Sequence, residues 1–333
     1  MSTRPRLTPA IADVRRAVRE MLAVATAQEL VLVALSGGPD SLALAAATAF
    51  EAPRAGLTAG AVIIDHGLQP GSADVAAAAA RQAEAIGLDP VVVVPVSVGG
   101  RGGPEAAARD ARYAAIARVA EETGASAVLL GHTLDDQAET VLLGLARGSG
   151  AASLQGMARV TGLYWRPLLG IRRSTTVRFC DDAGLEPWTD PQNLDEAYTR
   201  VRVRTTVLPV LERELGPGIT EALARTADQL REDSDALDHF ADELVEELAE
   251  HAEAGISLPV NGLAANPPAL RQRIIRLVVS AEFGVSLSRA QTLEVARLVT
   301  DWHGQASVDL PGIRVKRLGH LLVFSAAPTH REP

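Results

Sequence analysis

The residues with the clearest potential for chemistry lie in a short loop between an apolar segment and a helical pattern. The loop reads Ser36-Gly37-Gly38-Pro39-Asp40-Ser41. Paired glycines let the backbone approach a phosphate, and the free N–H groups at a helix start attract anions. The hydroxyls of Ser36 and Ser41 add hydrogen-bond donors. Because the Asp40 carboxylate would repel a phosphate, the loop predicts a phosphate site in which Asp40 holds a bridging cation such as Mg²⁺.

A simple helix-capping turn, with Asp40 at the positive end of the helix dipole, is the alternative for this loop. The segment lacks the Gly-x-x-x-x-Gly-Lys spacing of a Walker loop, and the single lysine of the chain is the distant Lys316. It also lacks the Gly-x-Gly-x-x-Gly spacing of dinucleotide-binding loops. The loop by itself leaves both alternatives open.

Polar residues also stand at the ends of two other apolar segments. Asp65 and His66 end the second segment, and Gly131 and His132 follow the fourth. Histidine exchanges protons near neutral pH, so His132 is a candidate acid–base group. For both histidines the alternative is a structural side chain that is bonded within the fold.

Two acidic residues follow His132 on the next predicted helix. Asp136 and Glu139 are three residues apart, so their carboxylates share one face of that helix. Two negative charges at such a short distance need a cation beside them, which can be a metal ion or an ammonium group. Thr133 or Asp135 could instead simply cap the helix.

Arginines supply nearly all the positive charge of the chain. Arg109 and Arg112 share a helix face that suits a phosphate clamp, with a solvated ion-paired face as the alternative. Further along, Arg200, Arg202 and Arg204 would share one face on a strand, whereas a helix would place Arg200 and Arg204 together. Either arrangement can contact phosphates, and surface ion pairing is the alternative. The second half holds another basic set: Arg271, Arg273, Arg276, Arg289, Arg297, Arg314, Lys316 and Arg317.

The elements that must position these residues follow an alternating pattern in the first half. Strands are predicted at 30–36, 61–65, 91–98 and 127–130, and helices at 41–51, 73–86, 105–123 and 135–147. Continuous apolar strands between helices indicate an α/β fold with a parallel, twisted sheet covered by helices on both faces. Ligands of such sheets bind at the carboxyl ends of the strands, where the polar residues lie.

The second half predicts a smaller, mainly helical α+β domain. Leu215-Gly-Pro-Gly-Ile219 breaks the pattern, so the domains are predicted as 1–215 and 216–333. Helices are expected at 174–183, 220–251, after Pro267-Pro268, and at 288–301, and a strand pair is expected within 307–325.

Composition excludes several classes of protein. The 333 residues are 47% hydrophobic and 22% charged, which is typical of globular chains. Cys180 is the single cysteine, which excludes a disulfide framework, a Cys-rich zinc site and sulfur transfer by paired thiols. No apolar run reaches the ~20 residues of a membrane span, and no signal peptide is evident, so we expect a cytoplasmic protein without a membrane partner. The net charge is −9, and the stretch 228–253 contributes −10 of it, leaving room for a basic surface elsewhere.

The motif at 36–41 resembles the pyrophosphate loop of the PP-loop ATP pyrophosphatases. With the later motifs, the chain resembles the tRNA(Ile)-lysidine synthetase family over roughly residues 30–210. The resemblance is carried by Ser36–Ser41, Asp65–Leu68, Glu105–Tyr113, Gly131–Gly150, Gly156-Met157, Arg166–Leu169, Asp190–Asn193, Asp195, Tyr198 and Arg200–Arg204. The chain departs from the family pattern at Gln192, where Ser or Thr is usual, and at Val201, where Asn is usual.

The resemblance implies a reaction in two steps. ATP would adenylate C2 of the wobble cytidine in a CAU anticodon, and the ε-amine of free L-lysine would displace AMP. The cofactors would be ATP and Mg²⁺, with Asp40 as the metal ligand. Asp40, Arg112, His132 and Asp136 would be the catalytic residues, and Asp136 with Glu139 would bind lysine.

The remaining implied roles concern ATP and tRNA. The implied ATP and pyrophosphate site contains Ser36, Gly37, Gly38, Pro39, Asp40, Ser41, Asp65, His66 and Gly131. The isoleucine tRNA would be contacted by Arg109, Arg200, Arg204, Arg271 and Arg273. The sequence leaves the oligomeric state open, with a homodimer as one option.

Two other kinds of function remain as alternatives. One is a PP-loop adenylating ligase that acts on a small molecule, and the other is a non-catalytic nucleotide-binding or RNA-binding module. A small-molecule ligase would not need the 131–150 and 190–204 patterns or a basic second domain. A binding module would bind ATP or RNA without releasing pyrophosphate.

Overall fold

The computed structural model describes residues 7–26, 29–67, 71–96, 104–148, 150–252 and 255–327. Leu68 and Ser149, which belong to two of the motifs, lie outside these residues, as does the side chain of Glu105. The chain forms two compact units, Met1–Asp228 and Gln229–Pro333. The unit division falls inside a long helix, whereas the sequence places a boundary at 215/216, which stays a prediction.

The first unit contains a six-stranded sheet in the order β3-β2-β1-β4-β6-β5. Its strands are β1 (Leu30–Ala34), β2 (Thr58–Asp65), β3 (Val91–Pro95), β4 (Ala125–Leu129), β5 (Val160–Thr161) and β6 (Tyr164–Trp165). All neighbours pair in parallel except β5 and β6. The four predicted strands are therefore present as a parallel sheet, and the short hairpin β5–β6 extends one edge.

Helices surround this sheet. They are α1 (Pro9–Leu22), α2 (Pro39–Glu51), α3 (Ser72–Ala85), α4 (Pro104–Thr123), α5 (Leu134–Ala146), α6 (Ala151–Leu154), α7 (Arg173–Ala183), α8 (Thr199–Arg202) and α9 (Leu208–Leu215), followed by α10 (Ile219–Leu248), which crosses the unit division. Side chains of β1 alternate between two cores, because Val31 and Val33 join one cluster and Leu32 the other. Helices thus cover both faces of the sheet, which confirms the predicted fold class.

The strand order creates a binding edge. β1 and β4 are neighbours in the sheet. The connection that leaves β1 leads to β2 on one side, and the connection that leaves β4 leads to the β5–β6 hairpin on the other side. Such a switch point leaves a crevice at the carboxyl ends of the strands. The loop 36–41 leaves β1 at this point, and the residues that follow β2 and β4 flank it.

The second unit contains an antiparallel sheet in the order β7-β8-β11-β10-β9. Its strands are β7 (Glu250–Ala252), β8 (Gly255–Pro259), β9 (Val308–Leu310), β10 (Ile313–Leu318) and β11 (Leu321–Ala326), and its further helices are α11 (Val260–Ala265), α12 (Pro268–Phe283) and α13 (Arg289–Thr300). The predicted strand pair is present as β10 and β11, but it belongs to a larger sheet. The helix predicted to reach 251 ends at Leu248, and β7 follows it.

The acidic stretch of α10 is a solvated face. Each described acidic residue from Asp228 to Glu250 is exposed, and Glu253 lies outside the described residues. Among the described helices, none is long and apolar enough to cross a membrane.

Candidate active site

The loop after β1 is organised by the hydroxyl of Ser41. Its Oγ accepts a hydrogen bond from the Ser36 backbone N–H at 3.2 Å and donates one to the Gly38 carbonyl at 3.0 Å. Gly37 has φ +84°, a conformation that favours glycine. Pro39 begins α2, where a missing N–H costs no helical bond. The loop therefore presents the N-terminus of α2 in the crevice of the sheet.

Gly131 lies against the same loop. A Cβ at this position would stand 3.1 Å from the Ser41 backbone N and Cα and 3.2 Å from the Asp40 carbonyl carbon. Such distances are closer than ordinary van der Waals contact. The absence of a side chain at the end of β4 lets the loop approach, so the structure brings Gly131 together with the predicted phosphate residues.

The Asp40 carboxylate points from the loop toward α7. Its Oδ1 accepts a hydrogen bond from Thr176 Oγ1, and its Oδ2 accepts one from Arg173 Nε at 3.2 Å. Burial raises the pKa of Asp40, although both partners oppose the rise. Among the described residues, no three His, Cys, Asp or Glu side chains form a metal cluster. A single carboxylate is the kind of protein ligand that Mg²⁺ takes together with substrate phosphates, so Mg²⁺ at Asp40 stays a prediction.

The Asp136 carboxylate takes part in the cap of α5 through one oxygen and contacts Arg173 through the other. Its Oδ2 accepts hydrogen bonds from the backbone N–H and the hydroxyl of Thr133, both at 2.8 Å. Thr133 in turn caps the helix, as predicted, by accepting from the Asp136 N–H. This capping box fixes the carboxylate, and its Oδ1 faces Arg173.

Two guanidinium groups occupy the space in front of Asp136 and Glu139. Arg173 Nη2 lies 2.6 Å from Asp136 Oδ1, and Arg173 Nη1 lies 3.3 Å from Glu139 Oε1. Arg204 Nε lies 2.7 Å from Glu139 Oε1. Burial would raise the pKa of Asp136, but Arg173 and the hydrogen bonds from Thr133 outweigh it and lower this pKa. The two acids do share one face and attract cations, and the cations that they hold here are arginines.

The segment that carries Arg200, Arg202 and Arg204 contains a local change of helix type. The chain passes from α8 into a π-helical turn, Val203–Val207, that contains Arg204. Arg200 Nη2 donates to Thr140 Oγ1 at 3.3 Å, and its Nε lies 3.8 Å from Glu139 Oε2. Arg202 points elsewhere and donates to the Ala197 carbonyl at 2.9 Å. The helical alternative for this segment is therefore the observed one.

Arg112 lies near Tyr113, with its guanidinium carbon 5.5 Å from the ring centre, and its charge acts on His66 and His132. Among the described residues, the buried side-chain atoms without a hydrogen-bond partner include Nδ1 of both histidines and Nε of Arg166. Burial lowers the pKa of Arg112, and it lowers the pKa of His132 to about 4. Orphaned buried donors and acceptors are costly, so their concentration here fits a site that a polar ligand completes.

Comparison with known proteins places this geometry in a family. A PP-loop domain model matches residues 11–211, and a TilS substrate binding domain model matches residues 258–321. The tRNA(Ile)-lysidine synthase of Leifsonia xyli is 67% identical over 89% of each chain. The enzyme of the same name from Thermobifida fusca is 56% identical over 92% of this chain and 94% of its own. This chain belongs to the tRNA(Ile)-lysidine synthase family.

A solved structure supports the fold of this lysidine synthase family member. The U34-tRNA thiolase NcsA from Methanococcus maripaludis, described with its [4Fe-4S] cluster, aligns with a TM-score of 0.57. It covers 67% of this chain and 80% of its own, at 20% identity. At that identity the likeness concerns the fold alone. The single cysteine of this chain, Cys180, is buried, and burial raises the pKa of its thiol to about 12.

The structure shows the surroundings of the two residues that depart from the family pattern. Val201 is 7% exposed, so an apolar side chain suits its position. At Gln192 the backbone N–H, rather than the side chain, makes the local bond, donating to Asp190 Oδ1 at 2.8 Å. With these residues in place, Arg200 and Arg204 both lie beside Glu139.

The predicted tRNA arginines have different environments. Arg109 is exposed, with its guanidinium carbon 5.0 Å from the centre of the Tyr113 ring. In the second unit, Arg271 donates to the carbonyls of Leu263 and Asn266, at 3.1 and 2.8 Å. Arg273 pairs with Asp238 at 3.0 Å and bonds Ser234 Oγ at 3.2 Å. Their roles toward RNA stay predictions.

Sequence reasoning missed Arg173 and Thr176, the two partners of Asp40. A signal was available, because Arg172 and Arg173 stand together at the start of a helix. Cations are unfavourable at that end of the helix dipole, so they indicate nearby acids. Arg172 pairs with Glu221 at 2.8 Å and with Asp135 at 3.3 Å, and Arg173 pairs with the three active-site carboxylates.

Proposed function

We propose that this chain ligates free L-lysine to C2 of the wobble cytidine in the CAU anticodon of an isoleucine tRNA. ATP would be converted to AMP and pyrophosphate through an adenylated cytidine. The observation that carries this proposal is the presence of both family matches in one chain, the PP-loop domain and the TilS substrate binding domain. A PP-loop ligase that acts on a small molecule would not need a TilS substrate binding domain.

The adenylation step would use the loop 36–41 and Arg112. The loop amides and hydroxyls would bind the departing pyrophosphate, while Asp65, His66 and Gly131 would face the rest of ATP. Arg112 would stabilise the negative charge that grows on the α-phosphate. When bound, Mg²⁺ would neutralise phosphate oxygens, with Asp40 as its protein ligand.

The lysine step would use the acidic face of α5. Asp136 and Glu139 would bind the ε-ammonium group of lysine and accept the proton that it loses before attack. With a pKa of about 4, His132 is neutral at pH 7, so it would act there as an uncharged hydrogen-bonding group beside the cytosine.

The tRNA would contact Arg109, Arg200, Arg204, Arg271 and Arg273 through its phosphates. Arginine suits this role because its planar guanidinium pairs with two phosphate oxygens at once. A cytoplasmic location and a homodimer stay predictions that this proposal does not require.

The test is lysine incorporation by the full chain. Labelled lysine, ATP and an isoleucine tRNA with the CAU anticodon should yield labelled tRNA and AMP. The same tRNA with uridine at the wobble position should yield neither. AMP release without RNA would favour a small-molecule ligase, and binding without AMP would favour a binding module.

Variants refine this test. Asp136→Asn should abolish lysine incorporation, because the amide neither attracts an ammonium group nor accepts its proton. Asp181→Asn, at an exposed position of α7, is the matched control and should keep wild-type activity. Equal activity of both variants would remove Asp136 from the mechanism.

A further inference from the structure

One side chain from α7 joins all three carboxylates of the active site. Arg173 contacts Asp40 at 3.2 Å, Asp136 at 2.6 Å and Glu139 at 3.3 Å. Its backbone N–H also donates to Asp135 Oδ2 at 2.7 Å. A single guanidinium thus stands where the proposed function needs both a metal ion and a substrate ammonium group.

The oxygens of the two lysine-binding acids already have donors. Asp136 Oδ2 accepts from Thr133, and its Oδ1 accepts from Arg173 at 2.6 Å and from Arg204 at 3.4 Å. Glu139 Oε1 accepts from Arg173 and Arg204, and its Oε2 accepts from Arg204 Nη2 at 3.1 Å. Because Glu139 is fully buried, an incoming ammonium group must replace one of these guanidinium groups rather than share the carboxylates through solvent.

Of these two guanidinium groups, Arg173 is the one in contact with the phosphate loop. It begins α7, where the helix dipole disfavours a cation, and it is bonded to Asp40 of the phosphate loop. Phosphate oxygens arriving at that loop would compete for its guanidinium in a two-point pairing. A cavity of about 130 Å³, lined in part by Glu139, Arg173 and Arg204, adjoins the group and gives space for an alkylammonium chain.

We propose that Arg173 is a positioning residue that keeps the substrate-cation site closed until ATP binds. In the ligand-free protein its guanidinium stands in for the substrate ammonium. When ATP occupies the loop 36–41, the guanidinium turns to the phosphates and vacates its position beside Asp136 and Glu139, while Arg204 keeps its contacts with both acids. Lysine then binds after ATP, which prevents an unproductive lysine complex. The identity of the cation rests on the proposed function, whereas the exchange of ion pairs does not.

Calorimetry on the full chain tests this proposal. Lysine and n-butylammonium, which carries only the side-chain amine, are titrated with and without a non-hydrolysable ATP analogue and Mg²⁺. In the wild type the analogue should increase the affinity for both amines by about tenfold, a coupling of ordinary size between two sites. In Arg173→Gln both amines should bind about tenfold more tightly without the analogue, and the coupling should vanish.

The control is Arg178→Gln on the same helix, whose side chain is 71% exposed and should leave the coupling at the wild-type value. Unchanged or weaker amine binding by Arg173→Gln would overturn the proposal. If that variant does not fold, absence of coupling in the wild type would overturn it equally. Normal n-butylammonium coupling without lysidine formation would contradict the proposed function and leave the role of Arg173 intact.

Discussion

Gln137 and Met157 are joined by two hydrogen bonds between one side chain and one backbone unit. Gln137 Nε2 donates to the Met157 carbonyl at 2.9 Å, and the Met157 N–H donates to Gln137 Oε1 at 2.7 Å. Gly156 makes this approach possible, because a Cβ there would stand 2.5 Å from Gln137 Oε1. The pair ties the 156–157 turn to α5, the helix that carries Asp136 and Glu139.

Replacing Gln137 should therefore loosen this turn. Gln137→Ala removes the side-chain amide of a residue that is only 2% exposed. The backbone carbonyl and the backbone N–H of Met157 each lose one hydrogen-bond partner. We expect the free energy of unfolding to fall by about 1–3 kcal/mol, as measured by urea denaturation. Gln82→Ala is the control, since Gln82 makes one exposed bond of 3.2 Å to the Glu186 carbonyl. Equal losses in both variants would contradict this role.

Gly131→Ala should impair ATP binding by pushing on the phosphate loop. The added methyl group would meet the Ser41 backbone at 3.1 Å. Gly131 follows β4 of the sheet and Ser41 lies in α2, so neither backbone can move away unless the sheet or that helix moves too. Overpacking of this kind costs about 1–3 kcal/mol, so the KM for ATP should rise at least several-fold. Gly170→Ala is the control, because a Cβ there meets nothing within 4 Å. An unchanged KM for ATP in Gly131→Ala would show that the loop does not need this contact.

The parts of the site that the sequence predicts are local. The Gly37-Gly38 pair after an apolar strand, and the spacing of Asp136 and Glu139 on one helix, are set by residues close together in the chain. The rule that parallel strands bind ligands at their carboxyl ends then places these motifs at one edge. For this reason the fold and the position of the phosphate loop follow from short patterns.

The parts that sequence reasoning missed depend on contacts between distant residues. Arg173 lies 133 positions from Asp40, and no periodicity connects them. The π-helical turn around Arg204 spans five residues, too few for the shift that it causes in hydrophobic spacing to be recognised. The strands β7 and β9 have three residues each, too short for alternation to be recognised.

Arg112 should be essential for adenylation, whereas a neighbouring arginine should not. Removing a group that stabilises transition-state charge typically lowers kcat by about 10²–10³-fold, and we expect this range for AMP release by Arg112→Ala. Arg118→Ala is the matched control on α4, since Arg118 is 60% exposed and lies 3.7 Å from Glu122. Similar rates for Arg112→Ala and Arg118→Ala would exclude Arg112 from the chemical step.

Glu212 should stabilise the start of α10 as long as its carboxylate is charged. It accepts hydrogen bonds from the Gly218, Ile219 and Thr220 N–H groups and from the Thr220 hydroxyl, and these bonds lower its pKa to about 2. A lowered carboxyl pKa gives stability that is present above the unfolded value of 4.5 and is lost between pH 4.5 and about 2. At pH 7, Glu212→Gln should lower the free energy of unfolding by about 0.5–2 kcal/mol, as other helix caps do. The exposed Glu214→Gln should not, and equal denaturation curves for the two variants would contradict the prediction.

His132 should make the protein less stable in mild acid. Burial lowers its pKa from 6.5 to about 4, so between these values the unfolded chain binds a proton that the folded chain does not. Stability from this group is therefore full above pH 6.5 and is lost as the pH falls toward 4. Between pH 7.5 and 5.0 the wild type should lose about 2 kcal/mol more than His132→Asn, at 1.36 kcal/mol per pH unit below 6.5. Urea denaturation at the two pH values measures this difference, with the exposed His320→Asn as control. If His132→Asn and His320→Asn lose stability to the same extent, the imidazole of His132 is not held neutral by the fold.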